Sequence, residues 1–376
     1  MTLPNKNLSR IVFIENEDLT RDSSGGVMSY LINLSKYFMD IGIETVLFGS
    51  GSIENTSKPS KKFSKFHSIS KNASISNFKF FLKLLTTGQL KYVDKGDILH
   101  VQRAEMVIPL ALRKRNKIIC TLHGGQDLAV LKKKGKFMGF IYLMLQFLAF
   151  KLVDELIVVD EKNKNRYVKK YPWIEKKISL IPISVDTGRF YPQDKAKARK
   201  KFKFSPEKKI LLFIGRLEYE KNVALIINAF KEIKEANYQL IIVGAGSLEE
   251  NLKALAEDAE NDIIFLGEVD NAVIPEIINS ADAMVLTSFF EGSPTVVKEA
   301  LCCDVPVIST DVGDVKSVLE SVNGGVIIED SVQGFLIGIQ KIFSKEQAEI
   351  KEASNQFSHT VMGEKTLKIY SKKTIE

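Results

Sequence analysis

The chain has 376 residues, of which 45% are hydrophobic and 26% are charged, and its formal net charge is +7. This composition excludes collagen, disordered chains and polytopic membrane proteins, and the length predicts two domains of about 150–200 residues each. Three cysteines without a C-x-x-C pair exclude a disulfide framework, and the four histidines form no zinc-like cluster with them. No signal peptide is recognised, so we expect a cytoplasmic protein.

The net charge is divided unevenly along the chain. Residues 1–200 sum to +17, whereas residues 201–376 sum to −10. A basic half joined to an acidic half is unusual for one compact core. The split therefore predicts two domains with different partners.

Apolar runs of strand length alternate with longer helical stretches along most of the chain. Strands that are continuously apolar are typical of parallel sheets covered by helices on both faces. The runs fall into two sets, and each set predicts a doubly wound α/β domain. The first set is 10–15, 44–48, 97–101, 117–123 and 155–159, and the second is 208–215, 239–244, 262–267, 283–287 and 305–310. The polar residues 181–202 between the sets are interpreted as a linker.

Two segments of the basic half combine lysines with aromatic residues. The first, residues 58–83, holds seven lysines and five phenylalanines. Its end is predicted to be an amphipathic helix because apolar residues recur at helical spacing, namely Phe78, Phe81, Leu82 and Leu85. Lysines lie on the other side of that helix.

The second segment, residues 131–150, begins with LKKKGK and continues with a fourteen-residue apolar run interrupted by Gln146. The run is too short to span a bilayer, which needs about 20 residues. We interpret it either as a buried helix or, with residues 58–83, as a segment that rests on an anionic membrane surface. No nucleic-acid-binding module is recognised, so no nucleic acid partner is expected.

Residues 213–230 run from a strand that ends at Gly215 into a loop and a helix. Arg216 and Lys221 lie in this loop and first helical turn. Two cations there suit a diphosphate, because arginine forks onto oxygens and lysine provides a point charge. By themselves, such loop cations are usually only solvated.

The most informative stretch is residues 287–313, which runs from a strand through a loop into a helix. Ser293 is expected to cap this helix, with Pro294 in its first turn. A helix start outside the carboxyl end of a parallel strand binds anions readily. Glu291 and Glu299, eight positions apart, can each accept hydrogen bonds from sugar hydroxyls.

Together these elements resemble the retaining nucleotide-sugar glycosyltransferases of family 4, which have the GT-B fold. E-G-S-P-x-x-x-x-E over 291–299 matches the pair of glutamates of that family, and G-R-L-x-x-x-K-N over 215–222 matches its diphosphate-binding motif. Further matches follow in the expected order at 23–26, 121–124, 153–159, 185–190, 242–246 and 265–267. The resemblance covers nearly the whole chain.

The resemblance implies an α/β architecture of two doubly wound Rossmann-like domains that face each other across a deep cleft. Residues 1–188 would form the acceptor-binding domain and residues 189–353 the nucleotide-sugar-binding domain. Residues 354–376 would form a helix that crosses back to the first domain. Closure of the domains over the donor is then expected.

The resemblance also implies roles for single residues. Arg216 and Lys221 would hold the diphosphate, Glu291 would contact the transferred sugar, and Glu299 would bind the ribose. His123 would line the cleft beside the donor sugar, while His100 is interpreted as structural. The further donor-binding residues would be Gly25, Gly26, Gly215, Gly244, Gly292, Ser293, Pro294 and Thr295. Gly25 and Gly26 would let backbone amides approach the donor, where a Cβ would clash.

The implied reaction is a retaining, metal-independent transfer of a hexose-type sugar. The donor would be a nucleoside-diphosphate sugar, with uridine as the expected base, and no further cofactor is required. The acceptor would be a glycan or a lipid-linked molecule of surface polysaccharide or glycolipid synthesis. The lysine–aromatic segments 58–83 and 131–150 motivate the lipid-linked acceptor, and through them we expect a cytoplasmic enzyme that is peripheral on the inner face of the membrane.

Other functions stay open at this stage. I-V-G-A-G-S-L-E over 242–249 begins like a dinucleotide-binding motif, but Glu249 replaces its third glycine. A GT-B epimerase, a phosphorylase or a non-catalytic nucleotide-sugar-binding protein would share the donor motifs. The sequence also departs from the family pattern at Ile183–Ser184, Asp160 and Asp304, which puts the hinge geometry and the acceptor in doubt.

Overall fold

The computed structural model describes residues 10–372 with short gaps. The gaps are 19–25, 52–61, 73–74, 125, 236, 260–261, 345–349 and 351, and the backbone alone is described for 17–18 and 126–136. The chain forms two compact units: unit 1 comprises residues 1–184 and 359–376, and unit 2 comprises residues 185–358. The sequence had placed these boundaries at 188 and 353.

In its described residues, unit 1 contains one parallel sheet. Its strands are β1 (Arg10–Asp18), β2 (Glu44–Ser50), β3 (Lys65–Ser70), β4 (Ile98–Val101), β5 (Ile118–Leu122), β6 (Glu155–Val158) and β7 (Ile178–Leu180). They pair in the order β3-β2-β1-β4-β5-β6-β7. Because the chain order reverses between β1 and β4, the carboxyl ends of these two strands form a switch point of the sheet.

Helices cover both faces of this sheet. They are α1 (Gly26–Asp40), α2 (Asn77–Thr86), α3 (Val107–Arg113), α4 (Gln126–Leu152), α5 (Glu161–Lys170) and, from the end of the chain, α14 (His359–Ser371). Alternate residues of β1 enter different cores, with Val12 and Ile14 on the side of α2–α5 and Ile11 and Phe13 on the side of α1 and α14. This alternation explains why the strand is apolar throughout.

The last helix belongs to unit 1 through close contacts. A Cβ at Gly363 would lie 2.1 Å from atoms of the Tyr37 ring, so glycine is what allows α14 to approach α1. The Tyr370 hydroxyl is 2.6 Å from Nδ1 of His100, and Nε2 of that histidine is 2.7 Å from the Thr121 hydroxyl. His100 is completely buried with both ring nitrogens bonded, as expected of a structural residue.

Unit 2 also contains one parallel sheet in the part of the chain that the structure describes. Its strands are β8 (Lys209–Ile214), β9 (Tyr238–Val243), β10 (Asp262–Gly267), β11 (Ala283–Leu286), β12 (Val307–Thr310) and β13 (Gly325–Ile328). They pair in the order β10-β9-β8-β11-β12-β13, so the chain order reverses between β8 and β11. The α/β prediction of two parallel sheets is confirmed.

The helices of unit 2 pack on both faces of its sheet. They are α6 (Lys195–Phe202), α7 (Val223–Lys231), α8 (Glu249–Ala256), α9 (Ile274–Ser280), α10 (Thr295–Cys302), α11 (Val315–Val322), α12 (Val332–Phe343) and α13 (Ala353–Phe357).

Residues 181–202 contain the boundary between the two units, after Ser184, as predicted for a linker, but the residues on each side of it are packed into the units. Ile183 is buried in the core of unit 1, and Phe190 is buried in the core of unit 2. The end of the segment is helix α6, in which the buried Arg199 donates to Asp282 over 2.6 Å. The charged side chains that suggested a linker therefore anchor the segment to the second sheet.

The sequence missed three of the strands that the structure describes, β3, β7 and β13. Each of them is the outermost strand at one end of its sheet. An edge strand packs on fewer neighbours, so its residues need not be continuously apolar. The criterion used for the interior strands therefore fails there.

The predicted apolar stripe of helix α2 is wrong. The helix buries Phe80 and Leu84, whereas Phe78 and Leu82 of the predicted stripe are exposed. Both sets have helical spacing, so the sequence pattern could not show which set is buried. Packing against the neighbouring strand and helix determines that Phe80 and Leu84 are the buried residues.

Helix α4 is buried on one side only, so the interpretation of residues 137–150 as a buried helix holds for that side and not for the other. Its end packs into unit 1 through Ala149 and Phe150. Phe137, Phe140 and Met144 are 76%, 61% and 59% exposed. Among the helices in the described ranges, none has the length and apolarity needed to cross a membrane.

Candidate active site

The site that the motifs predict lies at the carboxyl edge of the unit 2 sheet, where the chain order reverses between β8 and β11. Ligands of doubly wound folds bind at such switch points. Gly215, Arg216 and Lys221 follow β8, whereas Glu291 and Gly292 follow β11. The two motifs, about 70 residues apart in sequence, therefore flank one crevice within unit 2.

Lys221 and Glu291 form an ion pair at the centre of this crevice. Nζ of Lys221 lies 2.5 Å from Oε1 of Glu291, and the Ser288 hydroxyl donates to the same oxygen over 2.8 Å. Both charged side chains are largely buried. An ammonium group has three donors, so the contact with Glu291 leaves capacity for a ligand oxygen.

Arg216 is not brought into contact with that pair. Its side chain is 69% exposed, and Nη2 donates to Glu220 over 2.9 Å. An exposed ion pair of this kind contributes only about 0.2–1 kcal/mol. The guanidinium can therefore exchange Glu220 for a phosphate at little cost.

Hydrogen bonds to backbone carbonyl oxygens join the loop after β8 to the loop after β11 and so fix the Lys221–Glu291 pair. The Thr287 hydroxyl donates to the carbonyl oxygen of Asn222 over 2.9 Å. The Phe289 amide donates to the carbonyl oxygen of Glu220 over 2.8 Å. Sequence reasoning missed Thr287 and Ser288, although both stand directly between β11 and the glutamate motif.

Gly244 has a packing role at this edge of the sheet. Its φ is +124°, and a Cβ there would lie 2.0 Å from the carbonyl oxygen of Gly215. A Cβ at Gly246 would likewise lie 2.3 Å from the carbonyl oxygen of Leu217. The glycines that resembled a dinucleotide motif thus allow the loop after β9 to pack against the loop after β8.

Ser293 does not cap helix α10, so that prediction is wrong. The helix begins at Thr295 with Pro294 as its N-cap residue, and no side chain caps it. Instead, the Ser293 hydroxyl donates to Oδ2 of Asp314 over 2.6 Å. An amino terminus without a side-chain cap presents its first amides to an anion.

Behind this helix start lies a buried lysine that sequence reasoning missed. Lys298 is completely buried, and its Nζ is 2.6 Å from the Ser293 hydroxyl and 2.8 Å from Oδ2 of Asp314. The Asp314 amide donates to the carbonyl oxygen of Gly292 over 3.2 Å. The cluster therefore holds the loop that follows Glu291 from behind.

Glu299 lies one helical turn beyond Thr295 on α10. Burial raises the pKa of its carboxyl to about 7, against the lowering effects of a hydrogen bond from Thr295 and the charge of Arg189. The group therefore titrates near neutral pH. It can accept hydrogen bonds from hydroxyls, as the predicted ribose contact requires.

In unit 1, His123 follows β5. Burial, with a smaller effect of the Arg103 charge, lowers its pKa to about 3, so the imidazole is neutral. Nε2 lies 2.8 Å from Oε1 of Gln102, which requires the proton on Nε2 and leaves Nδ1 as an acceptor. The Tyr30 ring packs edge-on at 4.9 Å. Its predicted place beside the donor sugar stays a prediction.

Gly25 and Gly26 are the two glycines predicted to lie near the donor. Gly25 lies outside the described residues. Gly26 is the first residue of α1, and a Cβ built there meets no atom of the chain within 4 Å. The fold itself therefore does not require glycine at position 26.

Among the described residues, no group of three or more histidine, cysteine or acidic side chains is arranged to hold a metal.

Two family models match the chain, and together they span most of it. The model for glycosyltransferase family 4 matches residues 24–189, and the model for glycosyl transferases group 1 matches residues 194–359. With its first half matching family 4 and its second half matching group 1, the chain is a family 4-like GT-B glycosyltransferase.

Curated relatives are similar over part or most of the chain. A UDP-Gal:alpha-D-GlcNAc-diphosphoundecaprenol alpha-1,3-galactosyltransferase of Escherichia coli is 27% identical, covering 72% of this chain and 70% of that protein. The putative teichuronic acid biosynthesis glycosyltransferase TuaC of Bacillus subtilis is 29% identical, covering 50% and 46%. The N-acetyl-alpha-D-glucosaminyl L-malate synthase of Bacillus anthracis is 28% identical, covering 62% and 61%. The chain thus spans about half to two thirds of the length of most of these relatives.

Solved structures show the same fold. Anabaena HepE in complex with UDP-glucose has a TM-score of 0.74 at 16% identity, covering 96% of this chain and 99% of that one. WaaG, a glycosyltransferase involved in lipopolysaccharide biosynthesis, has a TM-score of 0.68 at 14% identity, covering 97% and 96%. At these identities the likeness concerns the fold, which is GT-B.

Two departures from the family pattern have local explanations. The Asp160 carboxylate accepts from the Asn163 amide over 2.7 Å and so caps helix α5. Asp304 has a φ of 58°, in the left-handed region that aspartate tolerates better than most residues. Ile183 and Ser184 are buried in unit 1.

Proposed function

We propose that the chain is a retaining, metal-independent glycosyltransferase that moves a hexose-type sugar from a UDP-linked donor. The acceptor is a glycan or lipid-linked molecule of surface polysaccharide or glycolipid synthesis. The observation that carries this proposal is the Lys221–Glu291 pair at the unit 2 switch point. It combines a cation for the diphosphate with a carboxylate for the sugar.

The negative charge of the reaction develops on the leaving β-phosphate. Lys221 neutralises this charge, Arg216 joins it after releasing Glu220, and the amides that begin helix α10 add the positive end of a helix dipole. These groups supply the stabilisation that a divalent ion would otherwise give.

Retention follows if the acceptor attacks the face that the diphosphate leaves. The bond between C1 and the β-phosphate oxygen breaks, and the acceptor oxygen bonds to C1 of an oxocarbenium-like sugar. The hydroxyl proton passes to the departing phosphate oxygen. Glu291, already bonded to Lys221 and Ser288, orients the sugar through its hydroxyls.

The comparisons support the donor and acceptor classes. The Escherichia coli relative is named for a UDP-galactose donor and a diphosphoundecaprenol-linked acceptor, and HepE is in complex with UDP-glucose. TuaC is named for teichuronic acid biosynthesis. These names favour a uridine nucleotide and an acceptor of the cell surface.

A thermal-shift panel of nucleotide sugars tests the donor. A donor at 100 times its Kd adds about 2.7 kcal/mol to the free energy of unfolding. We expect UDP-sugars to raise the melting temperature more than GDP- or ADP-sugars, with or without EDTA. The anomeric configuration of the transferred sugar, read by NMR, tests retention.

The outcomes of these assays distinguish a transferase from the alternative functions. Release of UDP and an altered sugar without acceptor would identify an epimerase. Donor binding without transfer to any acceptor would identify a non-catalytic binding protein. No stabilisation by any nucleotide sugar would overturn the proposal.

The membrane-facing part of the proposal rests on the surface of helix α4. Its exposed apolar residues continue next to Trp173, whose ring centroid lies 4.3 Å from Nζ of Lys151 and 5.3 Å from Nζ of Lys177. Aromatic groups flanked by lysines are typical of segments that enter the headgroup region of anionic bilayers. We call the patch formed by Phe137, Phe140, Met144, Phe147 and Trp173 the α4 patch.

Vesicle flotation tests the α4 patch. We expect binding to vesicles that contain phosphatidylglycerol, weaker binding to pure phosphatidylcholine, and loss of binding at high salt. Phe140→Ser with Met144→Ser should reduce binding. Leu112→Ser is the matched control, because Leu112 is 71% exposed on α3 outside the patch. Equal binding of both variants would contradict this surface.

A further inference from the structure

The proposed reaction uses the first amides of helix α10 but gives no role to Lys298, which lies three residues after Thr295 in the same helix. The Lys298 side chain is completely buried. Lysine is almost never fully buried unless it is paired, because its ammonium group loses the hydration that water provides. Its burial behind a candidate phosphate site therefore requires partners that replace that hydration.

Three polar groups form a closed triangle of hydrogen bonds at this place. Nζ of Lys298 donates to the Ser293 hydroxyl over 2.6 Å and to Oδ2 of Asp314 over 2.8 Å. The Ser293 hydroxyl in turn donates to the same Asp314 oxygen over 2.6 Å. Ser293 and Asp314 are also buried. Each group is therefore held by the other two, which fixes the Ser293 side chain inside unit 2.

The loop after β12 joins this triangle to the loop that carries Glu291. The Asp314 amide donates to the carbonyl oxygen of Gly292 over 3.2 Å. At the preceding residue, Gly313, φ is +54°, and a Cβ would lie 2.1 Å from that same oxygen and 3.2 Å from the carbonyl oxygen of Glu291. The backbones of the two loops are therefore in contact, and a displacement of Asp314 would displace Gly292 and Glu291.

Stability alone does not explain a buried ion pair here. The ring centroid of the buried Phe357 lies 6.0 Å from Nζ of Lys298, so an apolar group already borders the pair. Both buried charges lose hydration, and a well-packed apolar pair of similar volume is often as stable or more stable. Apolar side chains cannot reproduce the directed hydrogen bond to the Ser293 hydroxyl. The pair is therefore better explained by the geometry that it imposes.

We infer that Lys298 is a positioning residue for the phosphate site of the proposed transferase. Because it is sealed from solvent, its ammonium group does not touch the substrate. It acts through Ser293 and Asp314, which hold the amides that begin helix α10 and the backbone of Glu291. This inference rests on the proposed function. A displacement of about 1 Å in a positioned group can lower a rate about 10²-fold.

Calorimetry with UDP and UMP tests the inference, because these two nucleotides differ only in the β-phosphate. The variant is Lys298→Met/Asp314→Leu, which removes both charges together and so leaves neither buried without its partner. We expect its Kd for UDP to rise about tenfold, as for the loss of one charged hydrogen bond, while its Kd for UMP stays at the wild-type value. At saturating donor, its kcat should fall about 10²-fold.

A lysine–aspartate pair at the amino edge of the same sheet provides the matched control. Nζ of Lys208 lies 2.8 Å from Oδ2 of Asp262, the first residue of β10. Lys208→Met/Asp262→Leu removes the same kinds of charge and should keep wild-type binding of both nucleotides.

Ser293→Ala is the second variant of the site. It leaves Lys298 paired with Asp314, so it is expected to fold even if the double variant does not. Because it removes the link between the lysine and the loop, it should also raise the Kd for UDP and not that for UMP, by a smaller factor than the double variant.

Each outcome decides the role of Lys298. A wild-type ratio of UDP to UMP affinity in both Lys298→Met/Asp314→Leu and Ser293→Ala would overturn the positioning role. An equal loss of affinity for both nucleotides would also overturn it, because a general disturbance of the fold gives that result. If the double variant does not fold, the ratio in Ser293→Ala decides. A wild-type protein that binds neither nucleotide would instead overturn the proposed function and this inference together.

Discussion

The two switch points of the molecule share one topology but present opposite chemistry. In unit 2, Lys221, Arg216 and an uncapped helix start offer positive charge beside Glu291. In unit 1, Glu15 and Glu105 outnumber Arg103. The two units therefore share a strand topology, whereas the charges of the side chains that follow their strands differ.

The side chains at each switch point differ in charge from the part of the sequence that contains them. The basic residues 1–200 contain Glu15 and Glu105, and the acidic residues 201–376 contain Arg216 and Lys221. Among the described residues of unit 1, Arg103 is the cation placed at the switch point, beside Glu15. Part of the positive charge of unit 1 surrounds the aromatic residues of the α4 patch, where it suits an anionic bilayer.

The largest expected effect concerns the buried cluster that supports the unit 2 site. Lys298→Met leaves Asp314 buried without its cation, so we expect a loss of about 3–5 kcal/mol in the free energy of unfolding. Urea unfolding followed by circular dichroism measures this loss. The double variant Lys298→Met/Asp314→Leu should recover much of it. An unchanged midpoint for Lys298→Met would remove the supporting role of this lysine.

The next effect tests the cations of unit 2 themselves. Lys221→Ala and Arg216→Ala should each lower kcat by about 10²–10³ while the protein stays folded, because each removes charge that stabilises the leaving phosphate. UDP release measures the rate. Lys253→Ala, which breaks a surface pair with Glu249 on α8, is the control and should keep wild-type turnover. Normal turnover in either active-site variant would refute its assignment.

A smaller effect concerns Glu299, and it makes donor binding dependent on pH. With a pKa of about 7, the carboxyl is mostly protonated at pH 6 and mostly ionised at pH 8. Both phosphates of a UDP-sugar keep constant charge over this range, so we expect its affinity to rise up to about tenfold with pH. Calorimetry on wild type and Glu299→Gln checks this, and an equal pH dependence in both would exclude the ribose role.

The same carboxyl has a defined effect on stability. Its folded pKa lies above the ordinary value of 4.5, so the folded state binds the proton more tightly. This contribution to stability is present below pH 4.5 and is lost as the pH rises through about 7. Glu299→Gln should therefore melt higher than wild type at pH 8, relative to their difference at pH 5. A constant difference would contradict the raised pKa.

The interior strands could be predicted because both their faces are buried, which forces continuous apolarity on runs such as 10–15 and 239–244. The edge strands β3, β7 and β13 could not, since an edge strand need not be apolar throughout; the fourth edge strand, β10, was predicted because its run at 263–266 is apolar. For helix α2 the pattern was ambiguous, and tertiary packing buried Phe80 and Leu84.

By itself, the sequence determined the two α/β units, their interior strands and the motifs that meet around Lys221 and Glu291. These features are local, or follow from where consecutive strands end. Tertiary structure alone decided that Ser293 binds Asp314 instead of capping α10. It also decided that Arg103 meets Glu15, 88 residues earlier in the chain. Such pairs depend on which strands become neighbours, and no spacing along the chain encodes that.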